Sequence, residues 1–330
     1  MLYEIFYLLS KFLITGGAGF IGSHIAKRLI EDGNDVKIID KIPLEKTFNL
    51  KDFSNKIEYC SLDIKNPEID KEFHGVDTVI HFAALADISL GIEKTNLDIE
   101  QGTLVTYKVL EAMRKNDVKE IIFSSSGTVY GYPKIFPTPE TYGPLLPVSL
   151  YGAAKLASES LISAFCYLFD MKSWIFRFGN IIGKNSVRGI VYDLVKKLEK
   201  NKKELNVLGD GKQKKDFVYI DDCINAILLG HEKSNDKVNL FNIGSGTNIS
   251  VKEIAEIIIN ETDNENTLLK FAGGPKGWNG GGWLGDISEV LFDINKLKNI
   301  GWNPKYSSKD TIKQATKETI ENLKNNKSNI

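Results

Sequence analysis

The chain has 330 residues, enough for one large domain or two ordinary ones, with 42% hydrophobic and 26% charged residues, the balance of a soluble globular protein. Its formal net charge of −1 argues against a nucleic-acid or membrane-surface partner. The three scattered cysteines, Cys60, Cys166 and Cys223, suggest reduced thiols in the cytoplasm rather than a disulfide framework, and the four histidines show no metal-ligand spacing, so no metal site is expected. The first nine residues, MLYEIFYLL, are apolar but lack a basic leader and a small-residue cleavage site. They read as a packed N-terminal arm or as the product of an upstream start codon, not as a signal peptide, and they are too few to span a bilayer.

In Lys11 to Ile30 an apolar run, Phe12-Leu13-Ile14, stops at the glycines Gly16, Gly19 and Gly22, after which Ile21, Ile25 and Leu29 recur at helical spacing. A buried strand thus enters a glycine turn and leaves as a helix. The three glycines permit a tight turn, close backbone approach to a pyrophosphate, and close helix–strand packing, and the helix N-terminus offers free N–H groups to phosphate. No G-K-[ST] follows, which removes a P-loop reading. The next strand, Val36 to Ile39, ends at Asp40. A carboxylate there accepts both hydroxyls of an adenosine ribose and repels a 2′-phosphate, so NAD is expected over NADP, although the neighbouring Lys41 blurs the preference.

Further along, Ile57 to Cys60 forms a short strand ending at Asp63-Ile64, and Asp77 to Phe82 a buried strand ending at Ala83-Ala84. A long helix is expected from Asn96 to Lys115, with Leu97, Leu104, Val105, Val109, Leu110 and Met113 on its apolar side. Lys119 to Ser124 is a strand opening into Ser124-Ser125-Ser126, followed by an ordered proline- and tyrosine-rich loop, Tyr130 to Ser149. A helix then carries Tyr151 and Lys155, and Ser173 to Phe178 is a strand leading to Gly179-Asn180. Strands alternating with helices predict an α/β fold, a doubly wound parallel sheet with ligands at the carboxyl ends of its strands.

After residue 178 the elements are more mixed: a helix over Ile190 to Lys200, a hairpin around Gly209-Asp210-Gly211, a helix capped by Asp221-Asp222, a strand at Phe241 to Ile243 and a helix over Val251 to Ile259. The chain closes with an irregular glycine-rich segment, Gly273 to Gly285, and a last helix over Lys309 to Asn325. This predicts two parts, a dinucleotide-binding domain over residues 1–178, with some return from about 216–245, and a smaller mixed α/β substrate lobe over 179–330.

Tyr151 and Lys155 are four residues apart on one helix and share a face. A phenol with a pKa near 10 is too weak a base at neutral pH, and an adjacent ammonium stabilises the phenolate. Such a pair removes a proton from a substrate hydroxyl while a nicotinamide accepts hydride, and a hydroxyl from Ser126 orients the same oxygen. His81, at the end of an apolar strand, reads as a hydrogen-bonded structural histidine, and Cys166 and Cys223 as core. Lys196-Lys197 and Lys202-Lys203 read as a solvated helix end, and Trp278, Trp283 and Trp302 as residues that pin loops rather than stack on a base.

Taken together, TGGAGFIGSH (15–24), HFAALADI (81–88), FSSSGTVYG (123–131), YGAAK (151–155), RFGNIIG (177–183), GDGKQKKDFVYIDD (209–222), NIGSG (242–246) and GWNP (301–304) resemble the extended short-chain dehydrogenase/reductase family, in its nucleotide-sugar epimerase/dehydratase branch. The resemblance spans about Lys11 to Trp302 and implies a Rossmann-type sheet, tightly held NAD, a nucleotide-diphosphate sugar as substrate, and a homodimer joined through a four-helix bundle. It implies Ser126, Tyr151 and Lys155 as the catalytic set. At the cofactor it implies Gly16, Gly19, Phe20, Ile21, Gly22, Asp40, Asp63, Ile64, Phe82, Ala83, Ala84, Ser124 and Phe178, besides Tyr151 and Lys155 themselves. At the sugar nucleotide it implies Ser126, Thr128, Asn180, Lys215, Phe217 and Asp286, with Asp87 against the sugar.

The chain also departs from that pattern. Sugar 4,6-dehydratases carry an Asp-Glu pair after the catalytic Ser/Thr, and decarboxylases usually a Glu; Gly127-Thr128 stands here instead, which argues against elimination and decarboxylation. Two arginines that usually clamp the diphosphate are missing, since R-D-[FY] reads Lys215-Asp216-Phe217 and R-P-G-D reads Trp283-Leu284-Gly285-Asp286. Lysine keeps the charge without the bidentate fork, and Lys215, Lys276 or Arg188 is expected to supply the cation. The usual N-V-x-G-T reads Ile99-Glu100-Gln101-Gly102-Thr103, so an asparagine near the cofactor is lost. The expected activity is 4-epimerisation through a 4-keto sugar; a 4-dehydrogenase that releases that sugar is the alternative, ahead of a 4,6-dehydratase or a non-catalytic NAD-binding regulator.

Overall fold

A computed structural model describes residues 10–85, 90–264, 266–273 and 282–328, with side chains described as far as residue 324. The N-terminal nine residues, Asp87, Lys276 and Trp278 lie outside the described residues. The first half runs β1 (Lys11–Thr15), α1 (Phe20–Glu31), β2 (Asp35–Asp40), β3 (Glu58–Ser61), β4 (Thr78–His81), α2 (Leu90–Glu93), α3 (Leu104–Lys115), β5 (Glu120–Ser126), α4 (Leu150–Leu168) and β6 (Lys172–Phe178). The second half runs β7 (Asn180–Ile182), α5 (Ile190–Lys200), β8 (Glu204–Val207), β9 (Lys214–Lys215), β10 (Phe217–Tyr219), α6 (Ile220–Lys233), β11 (Val238–Ile243), β12 (Ile249–Ser250), α7 (Val251–Glu261), β13 (Leu268–Phe271), α8 (Asn295–Asn299) and α9 (Ser308–Ser328).

Seven strands form one sheet in the order β11-β6-β5-β4-β1-β2-β3, every neighbouring pair parallel. The apolar runs seen in the sequence are what a sheet covered on both faces requires. Successive side chains of a strand point to opposite faces, and β1 shows it: Phe12 and Ile14 enter a core with Ile25, Leu29 and Ile227, while Leu13 enters another with Val109, Leu110 and Ile162. Helices α1 and α6 cover the first face, α3 and α4 the second. The strand order reverses between β1 and β4, which opens a crevice at the carboxyl ends of these strands. A third core, with Leu194, Leu205, Ile254, Ile258 and Ile312, joins α5, β8, α7 and α9 into a smaller lobe.

Three expectations need correction. Leu104 does not belong to the apolar side of α3: it is 50% exposed, because at 100° per residue it falls on the face opposite Val105, Val109, Leu110 and Met113. The hairpin around Gly209-Asp210-Gly211 does not form. β8 pairs instead with the distant β13, which sets Leu205 and Val207 into the third core, and β9 pairs with β12. Asp222 does not cap α6, since it lies inside the first turn; its carboxylate accepts the N–H groups of Lys305 and Tyr306 at 2.9 and 3.1 Å. Its carbonyl accepts the indole N–H of Trp302, and that tryptophan, 3% exposed, pins the chain as the sequence indicated.

Candidate active site

The crevice begins at Gly16, whose φ of +74° suits glycine. A Cβ there would fall 2.7 Å from the backbone nitrogen of Ala83, so the turn after β1 lies directly on the chain leaving β4. A Cβ on Gly22 would strike the Gly16 carbonyl and the Gly17 Cα, so only glycine lets α1 pack this closely on the turn. α1 starts after Gly19 with no side-chain cap, which leaves its first-turn N–H groups, those of Phe20 and Ile21 among them, facing the crevice mouth. Asp40 reaches over the same turn. Its two carboxylate oxygens accept the N–H groups of Ala18 and Ile42, each at 3.1 Å. One strand further out Asp63 accepts the Lys65 N–H at 2.8 Å, with Ile64 buried beside it. A backbone cradle that a Cβ would fill, an uncapped helix start and a carboxylate at the rim fit the pyrophosphate and ribose of NAD.

The three serines of β5 point to different tasks. The Ser124 carbonyl accepts the Lys155 ammonium at 2.5 Å. Ser125 donates to Glu159, also at 2.5 Å. Ser126 caps the turn Gly127–Tyr130, its Oγ accepting from the Thr128 N–H at 3.2 Å and from the Thr128 hydroxyl at 3.0 Å, and it is hydrogen-bonded to the half-buried Tyr151 phenol. Ser149 caps α4 by accepting the Gly152 N–H at 3.1 Å, which fixes the turn of helix that carries Tyr151. The structure therefore brings Ser126, Thr128, Tyr151 and Lys155 together at the end of β5, with Phe82 and Phe178 edge to face at 6.2 Å beside them.

One electrostatic expectation is reversed. Burial pushes the Tyr151 phenol up to about 12, against the hydrogen bond to Ser126, and burial brings Lys155 down to about 8. The reason is geometric: the Lys155 ammonium is spent on the Ser124 carbonyl and stands 5.7 Å from the centre of the Tyr151 ring. His81 is 1% exposed, its ring nitrogens 2.7 Å from the Thr15 hydroxyl and 3.1 Å from that of Thr106, and burial lowers its pKa to about 3. It is a neutral structural histidine, as expected.

Sequence reasoning missed the polar group behind the catalytic set. Glu159, one turn below Lys155, takes a bidentate pair from Arg177 at 3.0 and 2.7 Å. Arg177 also lies over the Tyr130 ring at 4.7 Å, and Tyr130 donates to Asn242 at 2.6 Å, so β5, α4, β6 and β11 are tied by one buried network. The spacing Tyr151, Lys155, Glu159 was the available signal, since residues four apart share a helix face.

At the other end of the crevice, Lys215 is not free. Its ammonium is 2.6 Å from the Asp286 carboxylate and also donates to the Ile287 carbonyl, with Trp283 alongside at 6.0 Å. Two residues expected at the sugar nucleotide thus meet as a buried pair; burial pushes the lysine down and the aspartate up, each against the pull of its partner. Phe217 is 3% exposed within the third core, where the pairing of β10 with β7 sets it. Asn180 is exposed, its backbone and side-chain N–H groups both donating to the Asp216 carbonyl, at 2.9 and 3.3 Å. Arg188 is exposed just before α5.

The sequence model of the NAD dependent epimerase/dehydratase family matches residues 12–244. A Methanocaldococcus jannaschii protein, provisionally named UDP-glucose 4-epimerase, is 34% identical over 310 residues, covering 92% of this chain and 96% of its own. The UDP-glucose 4-epimerase of Halalkalibacterium halodurans is 28% identical, over 91% of this chain and 92% of its own. Among solved structures, the Thermotoga maritima UDP-glucose 4-epimerase with UDP-glucose superposes with a TM-score of 0.84 at 30% identity, over 95% of this chain and 99% of that one. With residues 12–244 matched by the family model and a relative 34% identical over 92% of the chain, the chain belongs to the NAD dependent epimerase/dehydratase family.

Proposed function

We propose that the protein is a UDP-sugar 4-epimerase that works through a 4-keto sugar. The observation that carries this reading is the turn after β5: Ser126, Tyr151 and Lys155 are together, and the groups next to Ser126 are the Thr128 N–H and hydroxyl rather than a carboxylate. Proton transfer to and from one hydroxyl is provided for, while the turn directly after Ser126, where the resemblance puts the acid of elimination or decarboxylation, reads Gly127-Thr128. The uridine part of the reading rests on relatives whose names are UDP-glucose 4-epimerase.

Tyr151 takes the proton from the sugar 4-hydroxyl and gives it back after the sugar has turned over in the site. Ser126 shares the same oxygen and holds it in line. Lys155 supplies positive charge, which lowers the cost of the phenolate once its ammonium leaves the Ser124 carbonyl. NAD, when bound, supplies the acceptor and donor for the C4 hydride. Asp40 and the α1 N-terminus hold the dinucleotide, and Asn180, Lys215 and Asp286 stand where the uridine diphosphate enters.

The test is incubation of the enzyme with NAD and UDP-glucose or UDP-galactose, with no other oxidant. Many equivalents of sugar should interconvert with little steady NADH absorbance. Tyr151→Phe should retain fold and NAD while losing about 10²–10⁴-fold in turnover, the worth of a positioned acid–base group. Conversion that stops near one equivalent and leaves the cofactor reduced would overturn epimerisation, and near-wild-type turnover in Tyr151→Phe would remove Tyr151 as the base.

The homodimer belongs to the same proposal. Leu104 and Tyr107 on α3 and Tyr167 and Leu168 on α4 are 50%, 42%, 70% and 73% exposed, and Tyr107 lies edge to face with Phe165 of α4 at 6.3 Å. Apolar residues this exposed on two neighbouring helices suit packing against the same pair in a second copy. Sedimentation should give twice the 36.9 kDa chain mass, and a monomer at micromolar concentration would remove the bundle.

A further inference from the structure

Asp98 is 2% exposed, and its Oδ2 has no hydrogen-bond partner. A buried carboxyl left this way is expensive and calls for an explanation. Its surroundings supply one, because it lines the same narrow cavity as Ala84, Tyr151 and Lys155.

Two local features put it there. Asp98 directly precedes the π turn Ile99–Thr103. It stands two turns before the buried Val105 and faces inward, while Ile99 is 50% exposed. Opposite, Gly91 of α2 has no side chain, and a Cβ there would collide with Asp98 Oδ2. The helix register and the glycine together make a place for this carboxyl beside the catalytic pair.

Among the described residues, the charged and titratable groups around it can be named from each element. From α4 come Tyr151 and Lys155. α2 brings Glu93, which is exposed, and the helix of Asp98 itself brings Glu100, which accepts from Asn96 at 2.8 Å. From β4 comes His81, held between Thr15 and Thr106. The Lys155 ammonium is turned toward the Ser124 carbonyl on the sheet side. The phenol therefore has a hydroxyl partner, Ser126, and shares its cavity with an acid.

We propose that Asp98 is a positioning residue for Tyr151, and that its charge in the shared cavity sets the pH at which the phenol gives up its proton. The proposal rests on Tyr151 being the base. Two anions in one desolvated cavity oppose each other, so the carboxyl and the phenol titrate as a coupled pair. Consistent with this, burial holds the Asp98 acid above the usual carboxylate range, and the Asp98 charge adds to burial in raising Tyr151. Removing that charge lowers the phenol's pKa. The acid limb of the turnover profile, which follows the base form of Tyr151, then moves to lower pH.

The experiment titrates the phenolate absorbance of the purified protein with NAD, each background read against its own Tyr151→Phe counterpart so that only Tyr151 is seen. Asp98→Asn keeps the side chain's size and removes its charge, and it should move the Tyr151 transition down by about one pH unit, the usual scale for a neighbouring charge. Asp98→Ser serves the same purpose should the amide fail to fold in its place. The kcat profile should shift by the same amount. A transition that stays in place or rises overturns the proposal, as does a kinetic limb that stays fixed while the phenol moves. A shifted phenol in a protein that turns over no UDP-hexose would leave Asp98 in this role and remove the substrate reading instead.

Discussion

The glycine turn after β1 and the Lys215–Asp286 pair are built by opposite means. The first is mostly backbone: Gly16 and Gly22 are shaped by what a Cβ would strike, the first turn of α1 is uncapped, and one carboxylate, Asp40, stands at the rim. The second is made of side-chain charge: Lys215 against Asp286 at 2.6 Å, with Trp283 beside them, and nearby the fully buried Asp216, whose carboxylate accepts the N–H and hydroxyl of Ser245 at 2.7 and 2.9 Å. A backbone site is already formed before its ligand arrives. The internally paired charges would have to exchange partners in the proposed role, because a diphosphate that takes Lys215 would leave Asp286 to find a donor on the ligand.

Lys215 offers the strongest test of this contrast. Losing a charge-assisted hydrogen bond to phosphate is worth about 1.5–3 kcal/mol, or roughly 10–100-fold in affinity. Lys215→Ala should therefore raise KM for a UDP-sugar by about that factor with little change in kcat, since binding falls equally in the ground and transition states. The same substitution strands the buried Asp286, so Lys215→Ala with Asp286→Asn separates the two effects: the double variant should recover stability in urea but not KM. Lys215→Arg keeps the charge and adds a fork, and should hold KM at or below wild type. An unchanged KM in Lys215→Ala would confine this lysine to its partner and point to Arg188 for the diphosphate.

The same contrast explains what was legible in the sequence. The strand–glycine–helix unit at 11–31 could be read because its cause is local: an apolar run, three glycines and a helical period, none of which needs a distant residue. Tyr151, Lys155 and Ser126 could be placed because helix spacing and a strand end fix them. Phe217 and Lys215 could not, because their fates depend on β10 pairing with β7 and on an aspartate 71 residues away. Asp98 was hidden for another reason. An α-helical period puts Asp98 on the same face as Val105, Val109 and Ala112, but a carboxyl at such a position reads as the polar edge of a helix until Gly91, seven residues back and on another element, is seen to leave room for it.

Asp40 carries the last and smallest prediction, at the one point where the backbone cradle uses a side-chain charge. Its two oxygens already accept the Ala18 and Ile42 N–H groups, so the residue shapes the turn, and in the proposed role it also presents charge to a ribose. Asp40→Ala removes both functions and should weaken NAD by about tenfold, the worth of one to two net hydrogen bonds, while narrowing the preference over NADP. Asp40→Asn separates them. Its amide still accepts one backbone N–H, so the turn survives and NAD affinity should fall less. The charge that repels a 2′-phosphate is gone, and NADP affinity should rise toward that of NAD. Calorimetric titration with both dinucleotides measures the four constants needed. Equal affinity for NAD and NADP in the wild type would show that Asp40 serves the turn alone, and the cradle would then be a backbone site with no charge recognition at all.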